Sequence, residues 1–173
     1  RFQAAVTGLG DDKEGARIGA AILLRTFLRS GYEEFYTQTF DLAVANLQLR
    51  KARPDTSEPL DILRQALITV FKESFPRARD NKVKEEKRPF HPQSLNAGGI
   101  QLDSAYLRGA DLKQAWMPHA SLRNVDLSEA NLSEANLGKA DLSQATLNDA
   151  ILSWADLREA HLSGANLKRA DLH

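Results

Sequence analysis

Cysteine is absent from the 173 residues. Its absence excludes disulfide staples, zinc-thiolate sites, iron–sulfur clusters and cysteine nucleophiles, and leaves the chain indifferent to redox compartment. An excess of one charge is also missing. Lys plus Arg and Asp plus Glu each total 23, so no global field calls for nucleic acid, an anionic membrane or a polycationic partner. The longest apolar runs, Ile18 to Leu24 and Ala66 to Phe71, fall short of the ~20 residues of a membrane helix. Catalytic signatures are missing too: no G-x-S-x-G, no P-loop and no H-E-x-x-H occurs. The glycines of "GLGDDKEG" follow a helix-like stretch and lack the lysine-hydroxyl pair of a phosphate loop. Arg1 in place of methionine, and an ending inside the phrase "ADLH", read as a piece of a longer protein with its targeting signals outside it. Cytoplasm is the default compartment.

What is present is repetition. From residue 100 onward the chain obeys a period of five. Leucine recurs at every fifth position from 102 to 172, with Met117 filling the single gap, and alanine stands two residues before each, replaced by Ile100 and Val125. Five residues at ~100° each advance ~500°, so a helix would scatter these leucines around its whole circumference. A strand accepts the Ala-x-Leu alternation, but the next alanine comes three residues later and points inward only if the chain bends. Short extended sides with a corner every five residues, all turning Ala and Leu inward, describe a solenoid whose turns stack at ~4.8 Å.

The phrases "ADL" at 110, 140, 155 and 170 and "ANL" at 130, 135 and 165 resemble the A(D/N)LXX repeat of the pentapeptide-repeat family. The resemblance implies a right-handed quadrilateral β-helix over 100–173, with four phrases per coil. Fifteen phrases from 100 to 173 then make just under four coils, a rod of roughly 18 Å.

Residues 1–76 follow a helical period instead. Ala20, Leu23, Leu24, Phe27 and Leu28 share one face, and Gly31 is the stop. Tyr36, Phe40, Ala43, Val44 and Leu47 form a second stripe, broken by "RPDTSEP". Ser57 as N-cap and Pro59 in the first turn open a third helix, lined by Leu60, Leu63, Leu67 and Phe71 and ended by Pro76. Arg1, Phe2, Ala5, Leu9, Gly10, Arg17, Gly19, Ala20 and Leu24 also resemble a helical segment that precedes the repeats in many bacterial pentapeptide-repeat proteins. This implies a HEAT-like helical domain, with a membrane segment upstream in such relatives. The expected organisation is therefore α+β in two parts: a helical domain at 1–76, a linker and solenoid cap at 77–99, and the β-helix at 100–173. The linker carries six basic and three acidic residues without periodicity, and Leu95 to Gly99 are expected to cap the first coil.

A core filled by Ala and Leu leaves function to the outside. "ILSWA" turns Ile151 and Trp154 outward from one phrase; Tyr106 and Trp116, with Pro118 and His119, form a second group departing from the polar rule in the opening coils. These five residues, Ile151, Trp154, Tyr106, Trp116 and His119, are the candidate interaction surface, the alternative being packing against the helical domain or the linker, above all for the opening-coil group. Asp and Asn before leucine are spaced to bond local backbone at corners, not to converge on a metal. Asp141 and His161 stack one coil apart as a surface contact without a nucleophile. No catalytic, metal or cofactor site is expected, and a convex rod with a sealed core offers no cleft for a small molecule. The expected function is a non-catalytic scaffold for a protein partner, with no nucleic acid and no membrane contact within these residues. The alternative that the family implies is a DNA mimic that binds type II topoisomerases in quinolone resistance. Against it, 100–173 holds ten Asp and Glu against seven Lys and Arg, and no phenylalanine.

Overall fold

A computed structural model describes residues 1–49, 62–86 and 91–173. The break "RPDTSEP", the cap Ser57, and Pro59, Leu60 and Phe90 lie outside the described residues. The described chain falls into two compact units, 1–49 with 62–86, and 91–173.

The first unit is helical: α1 (Phe2–Leu9), α2 (Glu14–Thr26), α3 (Tyr36–Leu49) and α4 (Ile62–Glu86). Helix α1 packs on α2, α3 on α4, and α2 on α4. The expected stripes are the buried ones: Ala20, Leu24, Phe27 and Leu28 from the first, and Phe40, Ala43, Val44 and Leu47 from the second. Phe40, Phe71 and Phe75 cluster with ring centroids 5.8–6.5 Å apart. A bidentate pair from Arg25 to Glu73, at 2.5 and 3.0 Å, ties α2 to α4.

Pro76 does not end its helix. Helix α4 runs through it to Glu86, so the helical domain extends past 76 and the linker does not begin at 77. A proline ring inside a helix removes one i→i−4 bond and crowds the preceding turn. Here Phe75 and Ala78, buried on either side of it, continue the apolar face across the break, and tertiary packing overrides propensity.

The phrase around "GLG" has a mechanical reading. Arg17 Nε donates to the carbonyl of Leu9 at 3.2 Å, satisfying one of the carbonyls orphaned at the end of α1. A Cβ at Gly8 would stand 2.9 Å from Ala20 Cβ, so glycine lets α1 and α2 approach. Gly8→Leu is expected to destabilise the helical unit by about 1–3 kcal/mol through overpacking. The thermal transition at 222 nm, where helix dominates the signal, should move to lower temperature; an unmoved transition would contradict this packing.

The second unit is built from parallel bridges that join each residue i to i+20, from Asn96↔Trp116 through Ile151↔Asp171. Each side of a coil contributes a single bridged residue, so the coils stack without continuous strands. Within a phrase the alanine N–H donates three residues back to the leucine carbonyl, as from Ala130 to Leu127 at 3.0 Å. The third residue of that turn has positive φ throughout, between 53° and 70° from Gly99 to Arg169, as a type II turn requires. Between coils, the leucine N–H donates to the coil above, as from Leu132 to the Ile151 carbonyl at 2.7 Å. The inward Ala and Leu columns are 2% exposed or less from Leu95 through Leu152.

Leu95 to Gly99 are not a cap but a full phrase. Asn96 bridges Trp116, Ala97 N donates to the Trp116 carbonyl at 2.9 Å and Gly99 N to the Pro118 carbonyl at 2.8 Å. Leu95 takes the alanine place and Ala97 the leucine place, both buried. Reversing large and small keeps the volume of the layer. With it, phrases centred from 97 to 172 number sixteen, which is four coils of twenty residues rather than just under four.

Candidate functional site

The outward surface is ordered by four bridge columns. In chain order around a coil they hold Asn96, Trp116, Asn136 and Asp156; Gln101, Ser121, Asp141 and His161; Tyr106, Asp126, Thr146 and Asn166; and Asp111, Asn131, Ile151 and Asp171. The Asp and Asn members do local work. Each accepts the N–H two residues on: Asn131 from Ser133 at 3.1 Å, Asp141 from Ser143 at 3.0 Å, Asp156 from Arg158 at 3.1 Å and Asp171 from His173 at 3.1 Å. These Asx bonds fasten the corner that follows the leucine, which explains the D/N of the phrase without a metal. Among the described residues no three His, Asp or Glu side chains converge on one point.

Ile151 and Trp154 belong together: one phrase, one side, adjacent corner. Ile151 is 40% exposed and Trp154 83%. The phrase departs from the polar rule of the outward positions twice. Isoleucine in the Asx position forfeits the side-chain bond to the corner, and Trp154 occupies the left-handed place with φ 62°, a conformation that a bulky side chain adopts at a cost of about 1–2 kcal/mol. Trp154 gains little packing in return.

Tyr106 and Trp116 are not brought together. They are ten residues apart, half of a twenty-residue coil, and stand in columns on opposite sides. Tyr106 is 65% exposed, whereas Trp116 is partly buried between Asn96 and Asn136. His119 is exposed at the left-handed corner following Trp116, with φ 58°. Asp141 and His161 bridge one coil apart as expected. Burial opposes ionisation of Asp141, but the Ser143 hydroxyl and N–H, Arg123 and His161 together hold its carboxyl below the ordinary range.

Corner residues of neighbouring coils alternate in sign. Arg108 pairs with Glu129, Lys113 Nζ with Glu134 at 3.2 Å, Lys139 Nζ with Glu159 at 3.8 Å, and Arg169 with Asp149 at 2.7 Å. The strongest coupling lies within one phrase. Arg158 donates to Asp156 through Nε at 2.9 Å and Nη2 at 2.8 Å, and these bonds, then the Arg158 N–H and its charge, pull the Asp156 carboxyl down to about 2. A depressed carboxylate contributes stability that is present above its unfolded pKa and lost as pH falls from about 4 toward 2. In an NMR titration of Asp156 Cγ, Arg158→Gln should raise the midpoint toward about 3.9; a midpoint unmoved by the substitution would contradict the pairing.

The family described as pentapeptide repeats matches residues 105–144 and 135–173, with eight copies. Among solved structures, a pentapeptide repeat protein from the Arabidopsis thaliana thylakoid lumen is 27% identical, covering 50% of this chain and 61% of that one, with a TM-score of 0.44. A pentapeptide repeat protein from Nostoc PCC 7120 is 37% identical over 47% of this chain and 69% of that one, also with a TM-score of 0.44. HetL, a pentapeptide repeat protein involved in heterocyst differentiation regulation in the cyanobacterium Nostoc sp. strain PCC 7120, is 38% identical over 41% and 38%, with a TM-score of 0.22. None of the curated proteins matches. No helix among the described residues is long and apolar enough to cross a membrane.

Proposed function

Because the chain belongs, through residues 105–173, to the pentapeptide-repeat family, we propose that it is a non-catalytic interaction module whose solenoid presents the Ile151–Trp154 side to a protein partner. In this reading the solenoid is a right-handed quadrilateral β-helix, supported by the register of twenty residues. The helical unit is HEAT-like, supported by the pairing of consecutive helices, α1 with α2 and α3 with α4.

One observation carries the reading. A phrase that gives up its Asx bond and places tryptophan in a left-handed corner, leaving it 83% exposed, is less stable than "ANLSNA" would be there. Local strain that packing does not compensate points to use, and tryptophan is the residue type most enriched among binding hot spots. The DNA-mimic alternative calls for an acidic surface. Here the carboxylates of Glu129, Glu134, Asp149 and Glu159 each meet a Lys or Arg from a neighbouring coil, so the acidic groups are interrupted by cations and do not form a continuous acidic face.

A photocrosslinking residue at Ser153, beside Trp154, and another at Ser143, on the opposite side, test the assignment in extract of the source organism. Discrete protein adducts from position 153, absent from 143 and lost on Trp154→Asn, are expected. Equal labelling from both positions would contradict it.

A further inference from the structure

The expectation of a rod without a cleft misses one corner. The residue after each leucine is polar on three of the four sides: Lys113, Ser133 and Ser153 on one, Arg123 and Ser143 on another, Arg108 and Ser128 on the third. On the Trp116 side the same column reads Gly98, Pro118 and Gly138 before reaching Arg158. With no side chain at Gly138, a notch of about 300 Å³ opens between Pro118 and His119 on one coil and Arg158 and Glu159 on the other. Asn136 and Asp156 form its inner wall. Trp116, bridged to Asn136, stands one coil along the same column.

The chemistry of this notch is specific. Asn136 Oδ1 is taken by the Gly138 N–H at 3.1 Å, and its Nδ2 lies 3.3 Å from Asp156 Oδ2. Asp156 and Arg158 form a planar, doubly hydrogen-bonded pair, and Lys139 and Glu159 a looser one at 3.8 Å. Planar amide, carboxylate and guanidinium groups therefore line a shallow, solvent-open site whose formal charges, Lys139 and Arg158 against Asp156 and Glu159, cancel. An anionic ligand would meet two carboxylates, and a cationic one two cations. An apolar ligand would strip water from Lys139 and Glu159, whose mutual pair at 3.8 Å is too loose to replace it. A neutral polyhydroxyl ligand escapes both penalties. Its hydroxyls, each donor and acceptor, pair with planar polar groups, and its C–H face lies on the apolar ring of Pro118.

We propose that this corner of the solenoid is a binding site for a neutral saccharide, seated in the notch over Gly138 with Asn136, Lys139, Arg158 and Glu159 as its hydrogen-bonding wall. A volume at the lower end of small-molecule sites and an open rim set the affinity in the range of ~1 mM. The site is separate from the Ile151–Trp154 phrase, so either assignment stands without the other.

Trp154→Phe leaves Trp116 as the one tryptophan of the chain, and its fluorescence then reports this side alone. In that background, cellotetraose, maltotetraose and chitotetraose are titrated, with sialyllactose and AMP as anionic comparisons, and amide shifts of Gly138 and Lys139 are followed by NMR. At least one neutral oligosaccharide is expected to shift both signals with a Kd of order 1 mM. Gly138→Gln, which fills the notch with a side chain like those of the other corners, should weaken binding at least tenfold while leaving the thermal transition in place. The proposal is overturned if no neutral sugar perturbs either signal, if the response survives Gly138→Gln, or if the anionic ligands bind as well as the neutral ones.

Discussion

Leu132→Ala should destabilise the solenoid by about 2–5 kcal/mol, with the larger half of that range expected. Leu132 is fully buried and lies between Leu112 and Leu152 of the adjacent coils. Its cavity has no easy way to collapse, because the backbone on both sides is held in register: Leu112 N donates to the Asn131 carbonyl at 2.8 Å and Leu132 N to the Ile151 carbonyl at 2.7 Å. In a quasi-one-dimensional stack an interior phrase also supports two interfaces. Leu172 holds the same place in the same column but is 60% exposed, so Leu172→Ala should cost less than about 1 kcal/mol. Urea unfolding of the two variants measures the contrast. Equal costs would mean that burial along the column does not set stability.

Trp154→Asn should weaken the partner's binding at least ~30-fold, corresponding to the ~2 kcal/mol that marks a hot spot. The side chain offers a large, rigid apolar surface, and being 83% exposed it has nearly all of that surface left to bury. Asparagine tolerates the left-handed corner, so the variant should fold and any loss of affinity would belong to the contact itself. Titration of the crosslinked partner against both proteins measures the ratio. An unchanged Kd would remove Trp154 from the interface, and with it the main support for a docking surface on this side.

The five-residue period made the core legible before any coordinates, because Ala and Leu two residues apart must share a side and a bend must follow. The period also contained a signal that the reading of the aromatic residues did not use. Tyr106 and Trp116 differ by ten, and half of a twenty-residue coil separates them to opposite sides. The first phrase escaped the pattern because Leu95 and Ala97 reverse the order of large and small; volume per layer was kept while the letters were exchanged. Pro76 misled for a different reason. A local rule about proline competes with burial of Phe75 and Ala78, and the burial extends over more residues than the proline disturbs. The notch over Gly138 was hidden because it is made by an absent side chain, and only stacking at twenty-residue intervals sets Gly138 between Pro118 and Arg158.

The account holds that the inward columns build the rod and that the phrase 150–154 departs from the rule for a partner's benefit, at some cost to folding. The direct test is the equilibrium unfolding of the double variant Ile151→Asn, Trp154→Asn. Asparagine at 151 restores the missing corner bond, worth about 0.5–1.5 kcal/mol, and asparagine at 154 relieves the left-handed strain, while some apolar contact of Ile151 is lost. The predicted result is a higher urea midpoint than that of the parent protein, together with loss of partner binding. A lower midpoint would contradict the account, because Ile151 and Trp154 would then be holding the rod together instead of serving what it meets.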